Sequence, residues 1–305
     1  MSRTEAMEEI YGDDINAFIG LAHSHMGFWL PDTGTFHEAQ IEYLRQLTEN
    51  LRFEPEQTVL DVGGGQAGTA IWLCQTYGVK VVVVDIVKAM IDKGRERVAE
   101  AGLEDRIELY QTDLLEFDPG ERFDQIVAVE SALHFRDQRR LFRYCHDRLV
   151  PGGSLAFSTY WYEANWPWLT DLYLSLTVGD RGIPTLVDYQ RAARSTPLER
   201  IAVRDVTADV LPRSTVELSK EPYLTRIKDY HREHYGRLVT LGLPLFLRYH
   251  ERVIDKGKLH CIFLEASKTL ASSEADAASQ LDEHEPAIDL TSDGQRGRLA
   301  QTSDS

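Results

Sequence analysis

The chain has few cysteines, and they lie far apart. Cys74, Cys145 and Cys261 are the only three in 305 residues, and no two of them form a C-x-x-C pair. Small folds that depend on disulfides carry a dense and even set of cysteines. The pattern therefore argues against a disulfide framework and favours a reducing compartment.

Basic residues and long apolar runs are also scarce. The 33 Lys and Arg against 49 Asp and Glu give a formal net charge of −16. A protein that binds nucleic-acid phosphates needs clustered Lys and Arg, so we expect no nucleic-acid partner. No apolar run approaches the about 20 residues of a spanning helix, and residues 1–10 lack the order of a signal peptide. We therefore expect a soluble, cytoplasmic protein without a membrane span.

From residue 58 onward, apolar strands alternate with helical patterns. This alternation predicts an α/β fold whose parallel sheet is covered by helices on both faces. The predicted strands are 58–62, 80–84, 107–110, 123–129, 154–160, 201–206 and 259–266, and the helices between the first five are 68–77, 88–101 and 138–149.

Segments outside this alternation are predicted to cap the ligand-binding edge of the sheet. Residues 1–55, with a helical pattern at 36–52, form a predicted N-terminal helical lid. The main domain covers 56–270 and includes a helical insertion at about 223–256. Residues 271–305 contain eight acidic residues, two arginines and no aromatic residue, so we predict a disordered acidic tail.

One buried strand runs into four glycines within six residues. Gly63, Gly65 and Gly68 fit the pattern G-x-G-x-x-G, and a helical pattern follows them. Glycines let the backbone approach a ligand closely, and a helix N-terminus favours negative charge. Asp85 lies 22 positions after Gly63, near the spacing of a ribose-binding acid. These residues predict a nucleotide-like cofactor, and they fit NAD and S-adenosylmethionine equally.

Four further features occur in a fixed order along the chain. Asp61 lies inside the first strand, Asp113 follows the third, Glu-Ser-Ala-Leu-His-Phe at 130–135 follows the fourth, and Pro-Gly-Gly at 151–153 introduces the fifth. Together with the glycine turn, this set resembles the class I S-adenosylmethionine-dependent methyltransferases. No Tyr-x-x-x-Lys pattern supports the alternative, an NAD(P)-dependent oxidoreductase.

The resemblance covers residues 56–161 well and residues 198–268 more loosely. It implies a seven-stranded Rossmann-like methyltransferase sheet with helices on both faces and a helical lid. It also implies S-adenosyl-L-methionine as the cofactor. The sequence departs from the family at Ala67, where the family often has glycine.

The resemblance also implies which side chains contact the cofactor. Asp85 would bind the ribose hydroxyls, Asp113 the adenine amine, and Asp61 the cationic end. For each acid, a turn or a helix cap is the structural alternative. The implied cofactor-binding residues are Asp61, Gly63, Gly65, Gly68, Asp85, Ile86, Met90, Asp113, Leu114 and Glu130.

Two segments resemble family members that methylate macrolide sugars, prenyl chains and tocopherol-like lipids. These are residues 130–134 and the segment 23–29, His-Ser-His-Met-Gly-Phe-Trp. They imply a small, partly apolar acceptor of natural-product or lipid type. The residues predicted to bind it are His25, Trp29, Trp161 and Trp166.

Two reactions remain open. O-methylation is favoured, with His134 as the catalytic base, although His134 would alternatively cap a helix or contact cofactor. C-methylation of an isoprenoid-type acceptor would instead use Glu130 and aromatic rings to stabilise a carbocation. A non-catalytic binding protein is a further alternative.

His231 and His234 lack the acids or cysteines that would complete a metal site, so no metal is predicted. The sequence does not indicate the oligomeric state.

Overall fold

The computed structural model describes residues 23–162, 184–234, 248 and 251–270. The strands are β1 (Thr58–Val62), β2 (Lys80–Asp85), β3 (Ile107–Gln111), β4 (Phe123–Val129), β5 (Leu149–Tyr162), β6 (Leu198–Asp205) and β7 (Leu259–Lys268). The α-helices with assigned bounds are α1 (Phe36–Thr48), α2 (Gly68–Tyr77), α3 (Lys88–Glu100), α4 (Gln138–Arg148), α5 (Leu186–Arg194), α6 (Thr207–Leu218) and α7 (Tyr223–His234), and short 3₁₀ turns lie at Leu114–Glu116 and Ala132–His134.

The strands form one seven-stranded sheet in the order β3-β2-β1-β4-β5-β7-β6. This confirms the predicted fold class. The sheet is mixed, however, because β7 runs antiparallel to both of its neighbours. The chain leaves β6 and re-enters β7 at the same edge, after α6 and α7, and a connection that stays at one edge reverses the strand direction. The expectation of a parallel sheet therefore fails at β7.

The strands are apolar because both faces of the sheet are covered. Val59 packs in one core cluster with Leu73 and Ile91, and Leu60 packs in a second cluster with Phe142. Successive strand residues point to opposite faces, so neighbours in β1 belong to different cores. A strand buried on both faces needs a continuous apolar run, as the sequence of β1 and β2 shows.

Several element boundaries differ from the predicted ones. Helix α1 ends at Thr48 rather than at residue 52. Strand β5 already begins at Leu149, so the predicted turn at 151–153 lies within it, with Gly152 at a φ of 82° beside an irregularity in the β4–β5 register. Helix α6 was not predicted because it contains Pro212, which normally interrupts a helix.

The predicted domain boundaries remain predictions. Residues 1–22 of the predicted lid, part of the predicted insertion and the acidic tail lie outside the described residues. No helix in the described ranges is long and apolar enough to cross a bilayer.

The segment that precedes α1 is anchored on α6. The Trp29 indole donates to Ser214 Oγ at 2.9 Å, and the Trp29 amide donates to the Asp209 carbonyl at 2.9 Å. The Arg213 guanidinium lies 4.5 Å from the centre of the Trp29 ring. These contacts use the indole for packing, so the predicted substrate contact of Trp29 gains no support from the geometry.

Replacing Ser214 with alanine should destabilise this anchor. The substitution leaves the buried indole N–H of Trp29 without its acceptor, and we expect a loss of about 1–3 kcal/mol in the free energy of unfolding. Urea denaturation measures the change. Ser195→Ala is the matched control, because Ser195 Oγ donates only to the nearby Ala192 carbonyl at 2.9 Å. Equal losses in both variants would contradict the anchoring role.

Candidate functional site

The candidate site lies where four neighbouring strands end. In the sheet register, Asp61 pairs with Val83 on one side and with Val127 on the other, and Asp85 pairs with Gln111. The carboxyl ends of β1 to β4 therefore meet at one edge. Ligands of open α/β sheets bind at this edge, at the point where the strand order reverses.

The backbone of the turn after β1 favours glycine at positions 63 and 65. Gly63 and Gly65 adopt φ values of 63° and 52°, in the left-handed region that favours glycine. A Cβ on Gly63 would lie 2.6 Å from Ser131 Cβ, whereas a Cβ on Gly65 would meet nothing within 4 Å. Ala67 also adopts a left-handed φ of 61°, which explains why the family often has glycine there. The turn therefore survives in this chain with one residue in a strained conformation.

Asp85 holds this turn in place. Its carboxylate accepts hydrogen bonds from the Gly65 amide at 3.0 Å and from the Val87 amide at 2.9 Å. Burial raises the pKa of Asp85, and these two hydrogen bonds partly offset that effect. Each carboxylate oxygen accepts more than one hydrogen bond, so Asp85 retains acceptor capacity for ligand hydroxyls.

Asp61 is a buried carboxylate. Its side chain is 1% exposed, and neither oxygen has a hydrogen-bond partner among the described residues. Burial and, secondarily, the charge of Asp85 raise its pKa to about 7. A buried polar group without a partner is costly, so this one calls for an explanation in terms of a ligand.

Asp61 lines a pocket together with a basic side chain. Arg97 of α3 reaches the same pocket, so it contains side chains of opposite charge. Helix α3 packs closely on the glycine turn, because a Cβ on Gly94 would lie 3.3 Å from the Gly65 carbonyl oxygen. The pocket is lined by His23, Ser24, His25, Asp61, Gly63, Gly64, Gly65, Gln66, Gly68, Thr69, Arg97 and Val129.

Glu130 follows β4 in a left-handed conformation, with a φ of 52°. Its amide donates to the Ser158 carbonyl at 3.1 Å and to Ser158 Oγ at 2.9 Å, which holds this conformation. Its Oε1 accepts a hydrogen bond from the Met26 amide at 2.9 Å. Burial raises the pKa of Glu130 to about 7, although Tyr160, the Met26 amide and Tyr43 act to lower it.

The chain is similar in sequence to a family of modifying enzymes and to several curated methyltransferases. The family model "Mycolic acid cyclopropane synthetase" matches residues 23–165. The chain is 31% identical over 157 residues to erythromycin 3''-O-methyltransferase of Saccharopolyspora erythraea, covering 51% of each chain. It is 33% identical over 138 residues to methyltransferase GfsG of Streptomyces halstedii, covering 44% of this chain and 49% of GfsG. It thus spans about half the length of these two relatives.

A third relative matches over a longer region, and solved structures share the fold. The chain is 24% identical to 27-O-demethylrifamycin SV methyltransferase of Amycolatopsis mediterranei, covering 78% of this chain and 86% of the relative. The cyclopropane synthase MmaA2 of Mycobacterium tuberculosis superposes with a TM-score of 0.77 at 18% identity, covering 88% and 99% of the two chains. The chain is thus similar in sequence and in fold to methyltransferases, in agreement with the resemblance found in its sequence.

Most of the other predicted cofactor contacts of the family lie at the same edge of the sheet. Asp113 caps the 3₁₀ turn after β3, since its Oδ1 accepts from the Leu115 amide at 3.0 Å. The structural alternative for Asp113 is thus realised, and its contact with adenine stays a prediction. Leu114 and Met90 are each 4% exposed, and Ile86 lies directly after β2.

His134 lies within electrostatic reach of Asp85, the ribose-binding acid that the resemblance implies. It ends the 3₁₀ turn after β4, and its charge acts to lower the pKa of Asp85. This position fits the alternative in which His134 contacts the cofactor. Its role as catalytic base stays a prediction that the geometry does not strengthen.

His25 lies over the pocket in a neutral form. Its Nδ1 donates to the Met26 carbonyl at 2.7 Å, so Nε2 carries the lone pair, and this buried atom has no partner in the part of the chain that the structure describes. Burial lowers the pKa of His25 to about 4. The ring centre lies 4.9 Å from that of Tyr43. The predicted contact of His25 with the acceptor stays open.

The predicted aromatic acceptor residues are only partly described. Trp161 stacks on His260 with ring centres 4.1 Å apart, and its buried indole N–H has no partner among the described residues. Trp166 lies outside the described residues, as do the side chains of His231 and His234. In the described ranges, no three His, Cys, Asp or Glu side chains come together as a metal site.

Sequence reasoning missed three residues of this site. Arg97, Tyr43 and Tyr160 were not singled out as contacts of the cofactor or of the acceptor. Only the tertiary structure brings them to the sheet edge, so no local motif marks them. The position of Tyr160 at the carboxyl end of β5 is the one signal in the sequence that was available.

Asp61→Asn should make the ligand-free protein more stable at high pH. The folded pKa of Asp61, about 7, lies above its ordinary value of 3.8, so folding becomes less favourable as pH rises from about 4 to about 7. Asparagine does not ionise, so the gain in unfolding free energy should be larger at pH 8 than at pH 5, by on the order of 2 kcal/mol. Urea denaturation at both pH values measures it. A gain that is independent of pH would contradict the assignment.

Proposed function

We propose that this protein transfers a methyl group from S-adenosylmethionine to a small, partly apolar molecule of natural-product or lipid type. The observation that carries the proposal is the buried, unpartnered carboxylate of Asp61 in the glycine pocket. A transferable methyl on a sulfonium is the chemistry that this cofactor supplies when bound. The protein's own residues bind and orient the two reactants and exclude water.

Asp61 distinguishes this cofactor from a dinucleotide. NAD(P) would bring a pyrophosphate to the glycine turn, and a buried carboxylate repels that group. S-adenosylmethionine has no phosphate and ends in an amino acid. Its ammonium matches Asp61, and its carboxylate matches Arg97 and the amides at the start of α2. Opposite charges in one small pocket thus favour a zwitterionic ligand end.

Asp85 completes the proposed cofactor site. It lies at the end of β2, already fixes the Gly65 amide, and retains acceptor capacity for two ribose hydroxyls. Its carboxylate orients the adenosine part relative to the glycine turn. Asp61 and Asp85 would therefore hold opposite ends of one ligand.

O-methylation is the favoured reaction. The relatives named erythromycin 3''-O-methyltransferase and 27-O-demethylrifamycin SV methyltransferase support an oxygen acceptor. C-methylation of an isoprenoid-type acceptor is the second candidate, supported by the matching family model and by a structural neighbour titled geranyl diphosphate C-methyltransferase, with a TM-score of 0.68 at 16% identity. Glu130 suits both reactions, because each passes positive charge to the acceptor. A cytoplasmic location stays a prediction.

Calorimetric titration tests the cofactor, and label transfer tests the reaction. We expect micromolar binding of S-adenosylhomocysteine and no binding of NADH or NADPH. Methyl-labelled S-adenosylmethionine is then incubated with 27-O-demethylrifamycin SV, geranyl diphosphate and phosphoethanolamine. Label in the first compound supports O-methylation, and label in the second supports C-methylation. Binding of NADH without any response to S-adenosylhomocysteine would overturn the proposal.

Gly65→Ala and Gly102→Ala form a matched pair that separates cofactor binding from stability. Both glycines have positive φ, and a Cβ at either position would meet nothing within 4 Å. Each variant should lose roughly 1 kcal/mol of stability through the left-handed backbone alone. Only Gly65→Ala should also weaken S-adenosylhomocysteine binding, by about tenfold or more, because its methyl intrudes where the ligand approaches the turn. Equal binding by both variants would place the cofactor elsewhere.

A further inference from the structure

Residues 23–29 form a strap, without helix or strand, beside the glycine pocket. His23, Ser24 and His25 line this pocket together with Asp61. Both histidines are buried, so this end of the strap is packed into the protein. An irregular segment has no ladder of helix or sheet hydrogen bonds, and its position therefore depends on contacts from neighbouring elements.

Gln40 of α1 holds the end of the strap that lines the pocket. Its Nε2 donates to the His23 carbonyl at 2.9 Å and to the His25 carbonyl at 2.7 Å. The orientation of the amide is defined, because its oxygen in this place would face two carbonyl oxygens. Both N–H groups of one side chain are thus used on the backbone of the strap.

The burial of Gln40 shows that its amide nitrogen is what this position requires. The side chain is fully buried, and its Oε1 has no hydrogen-bond partner in the described ranges. Burying an unpaired polar atom costs free energy. Leu44, one turn further along α1, is also fully buried and is apolar. An apolar residue at position 40 would avoid the cost of the unpaired oxygen, but it would leave both strap carbonyls without a donor.

The other end of the strap is held independently. The Gly27 amide donates to Ser214 Oγ at 3.2 Å. A Cβ on Gly27 would lie 2.5 Å from Ala39 Cβ, so the strap touches α1 directly beside Gln40. Among the described residues, Gln40 is the side chain that donates hydrogen bonds to the backbone of residues 23–25. Loss of its amide would release this end of the strap and leave the other end in place.

We propose that Gln40 is a positioning residue for cofactor binding, and that its two hydrogen bonds keep the strap closed over the amino-acid end of the cofactor. This inference rests on the function proposed above and adds the step that controls cofactor exchange. Asp61 is buried beside the strap, so a ligand end that pairs with it enters and leaves when residues 23–25 move away. Opening breaks both Gln40 hydrogen bonds, and their strength sets the rate of exchange.

A residue that closes the strap differs kinetically from one that contacts the ligand. The Gln40 hydrogen bonds join protein groups only, so their loss destabilises the closed strap with and without ligand. The open state gains population in both forms, because water satisfies the two carbonyls once the strap opens. Association and dissociation should therefore both accelerate, and Kd should change much less than either rate. Loss of a direct ligand contact would instead change dissociation and Kd together.

Binding kinetics of S-adenosylhomocysteine test this difference. Gln40→Met keeps the length of the side chain and removes both donors. We expect association and dissociation to become about tenfold faster, with a change in Kd of less than about threefold. Surface plasmon resonance measures both rates. Unchanged rates would overturn the inference, and so would faster dissociation with unchanged association.

Thr48→Val is the matched control for this experiment. Thr48 is buried on the same helix, and its Oγ1 donates to the Leu44 carbonyl of α1 itself at 2.7 Å. The substitution removes a buried hydrogen bond without touching the strap, so both rates should stay at the wild-type values. Acceleration in Thr48→Val equal to that in Gln40→Met would assign the effect to the stability of α1 and overturn the role of Gln40.

Amide hydrogen exchange without ligand tests the opening itself. The Met26 amide donates to Glu130 next to the released end of the strap. It should exchange about tenfold faster in Gln40→Met, because the open state is more populated. The Val81 amide, which donates to the Arg106 carbonyl at 2.9 Å, should exchange at the wild-type rate. Unchanged exchange at Met26 would overturn the inference. A wild-type protein that does not bind S-adenosylhomocysteine would instead refute the proposed function.

Discussion

The unpaired carboxylate of Asp61 is the constraint on which the rest of the site depends. It lies on β1, between β2 and β4, where water does not reach it and no described side chain neutralises it. Gly64 is required beside it, because a Cβ there would lie 2.5 Å from Asp61 Oδ2 and 2.9 Å from Val83 Cγ1. The fold thus keeps a buried, unpaired carboxylate at the edge of its central strand, and it places a residue without a side chain, Gly64, next to this group. The proposed cationic end of the ligand would neutralise this carboxylate when it occupies the pocket.

The site has a second buried carboxylate, that of Glu130, and the segment with His25 and Met26 lies next to both carboxylates. Asp61 faces the glycine pocket and Glu130 faces Met26, Tyr43 and Tyr160, and burial raises both pKa values to about 7. His25 lines the pocket that contains Asp61, and the amide of the next residue, Met26, donates a hydrogen bond to Glu130. The segment is anchored further along through Trp29 and Ser214. The segment that contains His25 and Met26 therefore links the two buried carboxylates, and both carboxylates ionise over the same pH range.

The sequence predicted those parts of the site that are local. The positions of the strands along the chain, the glycine turn and Asp85 follow from runs of apolar residues and from spacing, and the structure places the turn and Asp85 at one edge of the sheet. The positions of Arg97 and Tyr160 at the site could not be predicted from local sequence patterns, because α3 and β5 come together only when the sheet forms. Helix α6 was missed because Pro212 masks its pattern. The placement of His134 relative to Asp85 depends on how a single 3₁₀ turn leaves the sheet, which the order of residues along the chain does not determine.

Proton release on ligand binding tests the central claim about Asp61 most directly. Calorimetric titration with S-adenosylhomocysteine at pH 6, in buffers of different ionisation enthalpy, counts the protons that binding releases. Asp61 is mostly protonated at that pH, and pairing with the ligand ammonium should ionise it. The account predicts release of nearly one proton in the wild-type protein and none attributable to this site in Asp61→Asn. Tight binding without proton release, or identical release by the variant, would contradict it.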